Sequence, residues 1–198
     1  MEHNYYGTEN IIPDKTMSQL IEDVGSWATK NFVSHAPPLG ILEEVGEIAH
    51  GILKHLQKIR GFENEEKFQT HIMDGFADAM IFLCHTAYLH GAFFAFNRNC
   101  HNVMPVSSAT EYYMISNVLQ SLSALMNQEA RDFDSKLTAP EIVNLYNLFC
   151  QRLCNALEIW ASSYQINLKN ATLMTWHKIV SKRDWNKDAK EGGGHKHD

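Results

Sequence analysis

Residues 72–88, IMDGFADAMIFLCHTAY, constrain this chain more than any other stretch. Wound as a helix they are apolar on almost every side, and such a helix belongs inside a protein. Its titratable groups form one narrow stripe, His71, Asp74, Asp78 and His85, at offsets of three, four and seven residues. Ionised carboxylates in that setting are costly unless paired, hydrogen-bonded or bound to a metal. The chain must therefore wrap a central helix in other elements and give its two aspartates something to do.

Helical periodicity supplies the wrapping, and no strand-like alternation is sustained anywhere. A first helix is expected over about 15–31, with Met17, Leu20, Ile21, Val24 and Trp27 on one face. Pro37-Pro38 can open a second, since proline is tolerated in a first turn, with Gly61 as the stop signal after about Ile59. Asn64 is a candidate N-cap for the central helix, which ends at His90 before Gly91. Residues 92–106 look irregular. Ser107 or Ser108 can cap a helix to about Gln128, and 129–137 form a polar connector. Thr138-Ala-Pro-Glu141 has the form of a capping box opening a helix to about Tyr164, and a last helix covers about 168–182. The expected fold class is all-α: a single helical-bundle domain over 1–187, with 92–151 as an inserted helical hairpin and 188–198 as a disordered tail.

A second acidic segment lies on the preceding helix. Leu42-Glu43-Glu44-Val45-Gly46-Glu47 is an E-E-x-x-E pattern that sets Glu44 and Glu47, and Glu43 and Glu47, one turn apart. Asp74 and Asp78 are neighbours by the same rule. Two facing helices with paired carboxylates make a cage of hard oxygen ligands suited to magnesium or manganese. Ile41, Leu42, Val45, Ile48, Ala49, Ile52 and Leu56 form one apolar stripe with Glu43 and Glu47 roughly opposite it. On pattern alone those glutamates read first as a solvated face, whereas for the aspartates a structural ion pair or capping contact is the weaker alternative to a functional role.

These segments resemble the MazG-like all-α nucleoside triphosphate pyrophosphohydrolases, a family marked by E-E-x-x-E on one helix and an acidic pair on the next. WATKNFVSHAPPLGILEEVGEIAH over 27–50 and DGFADAMIFL over 74–83 carry the likeness. SYQINLKNATLMTWHKIVSKRDW over 163–185 is similar to the closing helix and R-D-W of phage-type members. The resemblance covers about 16–91 and 152–187. It implies hydrolysis of a (d)NTP to (d)NMP and pyrophosphate, with two or more Mg2+ (or Mn2+) ions at each site. Glu44, Glu47 and Asp78 would be metal ligands, with Glu43 orienting or deprotonating the attacking water. Gly75 stands where the family pattern has glutamate, so the fourth ligand would be Asp74, one position earlier. Lys178, Lys182 and Arg183 are candidates for the outer phosphates, and Trp27, Phe32 and His35 for the base. By analogy with phage members, a purine deoxynucleotide such as dGTP is the expected substrate. The family also implies a homodimer or homotetramer, with which the apolar stretches at 80–89 and 142–161 are compatible.

Composition bounds the alternatives. A formal net charge of -6 argues against duplex nucleic acid as a partner. No apolar run of about 18 residues exists to enter a membrane. The first ten residues lack a signal-peptide pattern, and the four cysteines form no CxxC pair, so a reduced, cytoplasmic protein is expected. A di-iron bundle would use Glu47-Ile-Ala-His50 as E-x-x-H but needs a second such motif, which the sequence lacks. An HD phosphohydrolase would need its His-Asp pair, found only at His197-Asp198. A catalytically inactive helical nucleotide-binding or interaction protein remains the alternative from another class.

Overall fold

The computed structural model describes residues 15–32, 36–97, 107–131, 137–178 and 180–182. These form six α-helices: α1 (Met17–Asn31), α2 (Pro37–Gln57), α3 (Glu65–Leu89), α4 (Ser108–Arg131), α5 (Ala139–Ser163) and α6 (Leu168–Lys178). A short 3-10 turn, Val180–Lys182, follows α6. The all-α expectation is met among the described residues, none of which lies in a strand. No described helix is long and apolar enough to cross a membrane. The expected tail at 188–198 and most of the irregular stretch at 98–106 lie outside the described residues.

Local chemistry sets the helix ends. Thr16 and Gln19 cap α1 reciprocally, Gln19 N–H donating to Thr16 Oγ1 (3.3 Å) and Thr16 N–H to Gln19 Oε1 (2.9 Å). Asn64 caps α3 by accepting from Lys67 N–H at 2.9 Å. The expected box at α5 is present too: Thr138 N–H donates to Glu141 Oε2 at 2.8 Å. At the other end of α3, Gly91 takes φ +60°, its N–H bonding Tyr88 O (3.2 Å) and Ala92 N–H bonding Ala87 O (2.8 Å). That pair is a Schellman closure, which a glycine makes at no steric cost. α2 ends earlier than expected, at Gln57, because Lys58 itself turns left-handed (φ 51°) before Gly61 is reached.

α3 lies at the centre. It packs on α2, α1, α6 and α5, while α4 pairs with α5. Thirteen of its residues are buried, including Phe68, Ile72, Phe76, Met80, Leu83 and Cys84. Gly25 sits under the Tyr88 ring and Phe32 stacks near His85, so α1 runs antiparallel to α3. Gly40 lies under Phe82 and Gly51 under His71, making α2 antiparallel to α3 as well. α5 bears Trp160, edge-on to Phe76 with centroids 5.0 Å apart. The buried carboxylate Glu111 of α4 accepts from Trp160 Nε1 at 3.0 Å, tying α4 to α5.

One expectation needs correction and another gains detail. Leu42 and Leu56 do not join the buried face of α2: they are exposed and Ala49 is half-buried, while Ile41, Val45, Ile48 and Ile52 fill the core. The heptad-like offset of Leu42 and Leu56 from the core positions turns them about a quarter-turn outward. The start of the 92–106 stretch has no regular secondary structure, as expected, but it is tied to α5 by hydrogen bonds. Residues 92–97 run extended along α5, whose side chains serve as their hydrogen-bonding edge. Phe93 N–H donates to Asn147 Oδ1 (2.6 Å), Ala95 N–H to Gln151 Oε1 (2.9 Å) and Asn97 N–H to Glu158 Oε2 (2.9 Å). Gln151 Nε2 returns a bond to Ala95 O at 2.8 Å. Alternate backbone groups of an extended chain thus meet positions one and two turns apart on a helix.

Candidate functional site

The α2–α3 seam brings the two acidic segments together. Glu44 is half-buried, and its carboxyl is pushed up to about 8. Burial is the largest cause, followed by the negative charges of Asp78, Glu47, Glu43 and Asp74 in that order. Each of those groups disfavours ionisation of Glu44, so all five carboxylates share one electrostatic neighbourhood. Every charge in that neighbourhood acting on Glu44 is negative. Asp74 is open to solvent by surface area, yet nearby atoms crowd its carboxyl and raise its pKa, while the His71 ring works in the opposite direction.

Glycines and a histidine set the spacing of the seam. A β-carbon on Gly75 would stand 2.8 Å from Ile48 Cγ1 and 3.6 Å from the Glu44 carbonyl oxygen. Position 75 therefore points into the helix–helix contact, and the absent side chain lets α3 approach the turn of α2 that carries Glu44. One turn away, His71 Nε2 donates to the Glu47 carbonyl oxygen at 3.2 Å, the carbonyl fixing which ring nitrogen holds the proton. Its ring sits over Gly51 and edge-on to Phe62, centroids 5.0 Å apart. Sequence periodicity placed His71 on the polar stripe but did not reveal this inter-helix bond, because backbone acceptors leave no trace in a motif.

Toward the other end of α3 the stripe becomes aromatic. His85 is buried and stacks with Phe32, centroids 6.2 Å apart and planes 23° from parallel. Trp27 is half-buried and edge-on to both Phe32 (5.5 Å) and Trp176 of α6 (5.8 Å). His85 lies seven residues from Asp78, about 10 Å along the helix axis.

The basic candidates stand elsewhere. Lys178 and Lys182 are exposed, and Lys182 acts on His177 together with Lys15, which precedes α1, and Asp23 within α1. No cation is among the groups that shift Glu44. His35 and Arg183 lie outside the described residues. Burial raises the thiols of Cys84 and Cys150, leaving both as inert core groups.

As a metal centre the donor set fits in chemistry: carboxylate oxygens, negatively charged, on rigid helices, are what a hard divalent cation takes. It is not a closed cage, since among the described residues no three His, Cys, Asp or Glu side chains converge at metal-binding geometry. Comparison with family models, with characterised proteins and with solved structures returned no match for this chain.

Proposed function

We propose that this protein is a divalent-metal-dependent nucleoside triphosphate pyrophosphohydrolase, releasing a nucleoside monophosphate and pyrophosphate. The observation that carries the reading is Glu44, whose carboxyl is pushed up to about 8 by burial first and then by the negative charges of Asp78, Glu47, Glu43 and Asp74 on the same two helices. A protein gains nothing in stability from such an arrangement, and perturbed groups of this kind cluster at functional sites. Bound Mg2+ or Mn2+ would relieve the repulsion, neutralise a triphosphate and activate water. Glu44, Glu47 and Asp78 would hold the ions, with Asp74 reaching them directly or through water. Glu43, which is exposed, would orient or deprotonate the water attacking the α-phosphorus. Half-buried Phe32 and Trp27 would be the aromatic contacts for the base, with buried His85 stacked behind Phe32 and about 10 Å from Asp78 along α3. The choice of a purine deoxynucleotide such as dGTP rests on the likeness to phage-type members alone.

The open cage and Gly75 favour one other reading, a helical nucleotide-binding or interaction protein that has lost turnover. A panel of dNTPs and NTPs separates the two, incubated with Mg2+, Mn2+ or EDTA and resolved by product. Monophosphate plus pyrophosphate, dependent on metal and lost in folded Glu44→Ala and Asp78→Ala variants, is the expected result. Diphosphate plus orthophosphate would move the cleavage to the other bond. Absence of turnover with every nucleotide and both metals would leave the binding protein.

A further inference from the structure

His71 joins α3 to the backbone of α2 at one of the residues placed in the cation site. Its Nε2 donates to the Glu47 carbonyl oxygen at 3.2 Å. In an α-helix that oxygen also accepts the N–H of the residue four positions on, and position 51 is a buried glycine. A β-carbon there would stand 2.5 Å from His71 Cδ2 and 3.1 Å from Nε2. The ring therefore reaches the carbonyl only because α2 carries no side chain over it. Phe62 packs edge-on against the same ring, centroids 5.0 Å apart. Phe62 is fixed in turn, its carbonyl oxygen accepting from His55 Nδ1 at 2.7 Å and its ring lying 5.3 Å from Lys67 Nζ. A notch on one helix and a braced phenyl ring thus hold the imidazole in a single orientation.

Four residues along α3, Gly75 meets α2 at the neighbouring turn, where a β-carbon would lie 3.6 Å from the Glu44 carbonyl oxygen. One face of α3 therefore addresses two carbonyls of α2, those of Glu44 and Glu47, whose side chains are the proposed ligands. Gly75 permits the approach without bonding. The His71 bond adds direction, since it is lost if α2 rotates about its own axis or slides along α3. Such restraint matters to a hard cation: magnesium takes oxygens only near about 2.1 Å and in close to octahedral arrangement. Groups that orient the ligands of a metal commonly matter nearly as much as the ligands themselves.

We propose, on the strength of the metal-dependent reading of the α2–α3 seam, that His71 is a positioning residue for its cation site. Its Nε2–H, bonded to the Glu47 backbone, sets the rotation and register of the turn that bears Glu44 and Glu47. Mn2+ titrated into the full chain, with free ion followed by electron paramagnetic resonance, tests this alongside kcat and KM for pyrophosphate release. Circular dichroism confirms the fold of each variant. Glutamine can set its amide nitrogen where Nε2 lies, so His71→Gln is expected to keep close to native Mn2+ affinity and kcat. His71→Leu, similar in bulk but without the donor, is expected to bind Mn2+ about tenfold or more weakly and to lose kcat rather than KM. Gly51→Ala, which displaces the ring without altering it, is expected to behave like His71→Leu. In metal-free protein the ring-nitrogen shifts of His71 should show the Nε2–H tautomer. Native affinity in His71→Leu, a glutamine variant no better than the leucine one, or an Nδ1–H ring would each overturn the role of His71 and leave the cation site standing. A native chain that binds no Mn2+ would overturn both.

Discussion

At the scale of single residues, Glu44 and Gly75 carry the most consequence. A carboxyl whose folded pKa exceeds its unfolded value keeps its proton longer in the native state. For Glu44 that contribution is present below about 4.5 and is lost as pH rises through about 8. Metal-free protein should therefore melt at progressively lower temperature between pH 5 and 8, and Asp74, also raised, adds in the same direction. Saturating Mn2+ should flatten that slope, and Glu44→Gln should reduce it without metal; an unchanged slope in the variant would assign the effect elsewhere. Gly75 invites the opposite experiment. Glutamate placed there should not add a ligand, because the side chain would be driven into Ile48 and the backbone of α2. Gly75→Glu is expected to cost at least about 1–3 kcal/mol in denaturant unfolding, by overpacking. A variant as stable as the native chain, with tighter Mn2+ binding, would contradict that placement. The E-E-x-x-E and D-x-x-x-D spacings were legible in the sequence because helical period alone puts such residues on one face. The reason for Gly75 was not, since it depends on how closely two helices cross.

At the scale of elements, helix number and most boundaries follow from the chain's punctuation. Thr16, Asn64, Gly91 and the Thr138–Glu141 box act through bonds to their immediate neighbours, and local chemistry is what a sequence displays. Two features escaped because they are settled by tertiary contacts. The outward turn of Leu42 and Leu56 depends on which side of α2 meets α3, and both faces of that helix are apolar. The extended 92–97 segment has no strand partner and borrows Asn147, Gln151 and Glu158 from a helix 54 to 61 residues away. Gln151 serves both backbone groups of Ala95, so Gln151→Ala leaves two partly buried groups without their partner. A loss of about 1–3 kcal/mol is expected, with faster amide exchange at Ala95. Unchanged exchange there would show that the segment is held by its buried side chains, Ala92 and Phe94, instead.

At the scale of the whole molecule, one buried helix organises both the core and the site. α3 is apolar enough to be enclosed by α1, α2, α5 and α6, and the seam it forms with α2 collects the carboxylates. The apolar framework stabilises the fold while the charge cluster opposes it, a division expected where activity depends on a preorganised, strained site. Glu44→Gln should accordingly raise the melting temperature of metal-free protein at pH 8 while abolishing turnover, a trade that paired thermal melts and product assays would expose. The central claim is that the α2–α3 carboxylates are a divalent-cation site. Calorimetric titration of Mn2+ into the native chain and into Asp78→Asn at pH 8 tests it most directly. Saturable binding with release of protons, as Glu44 gives up its own, and its loss in Asp78→Asn is the predicted result. Absence of binding to the native chain, or equal binding to both proteins, would contradict it.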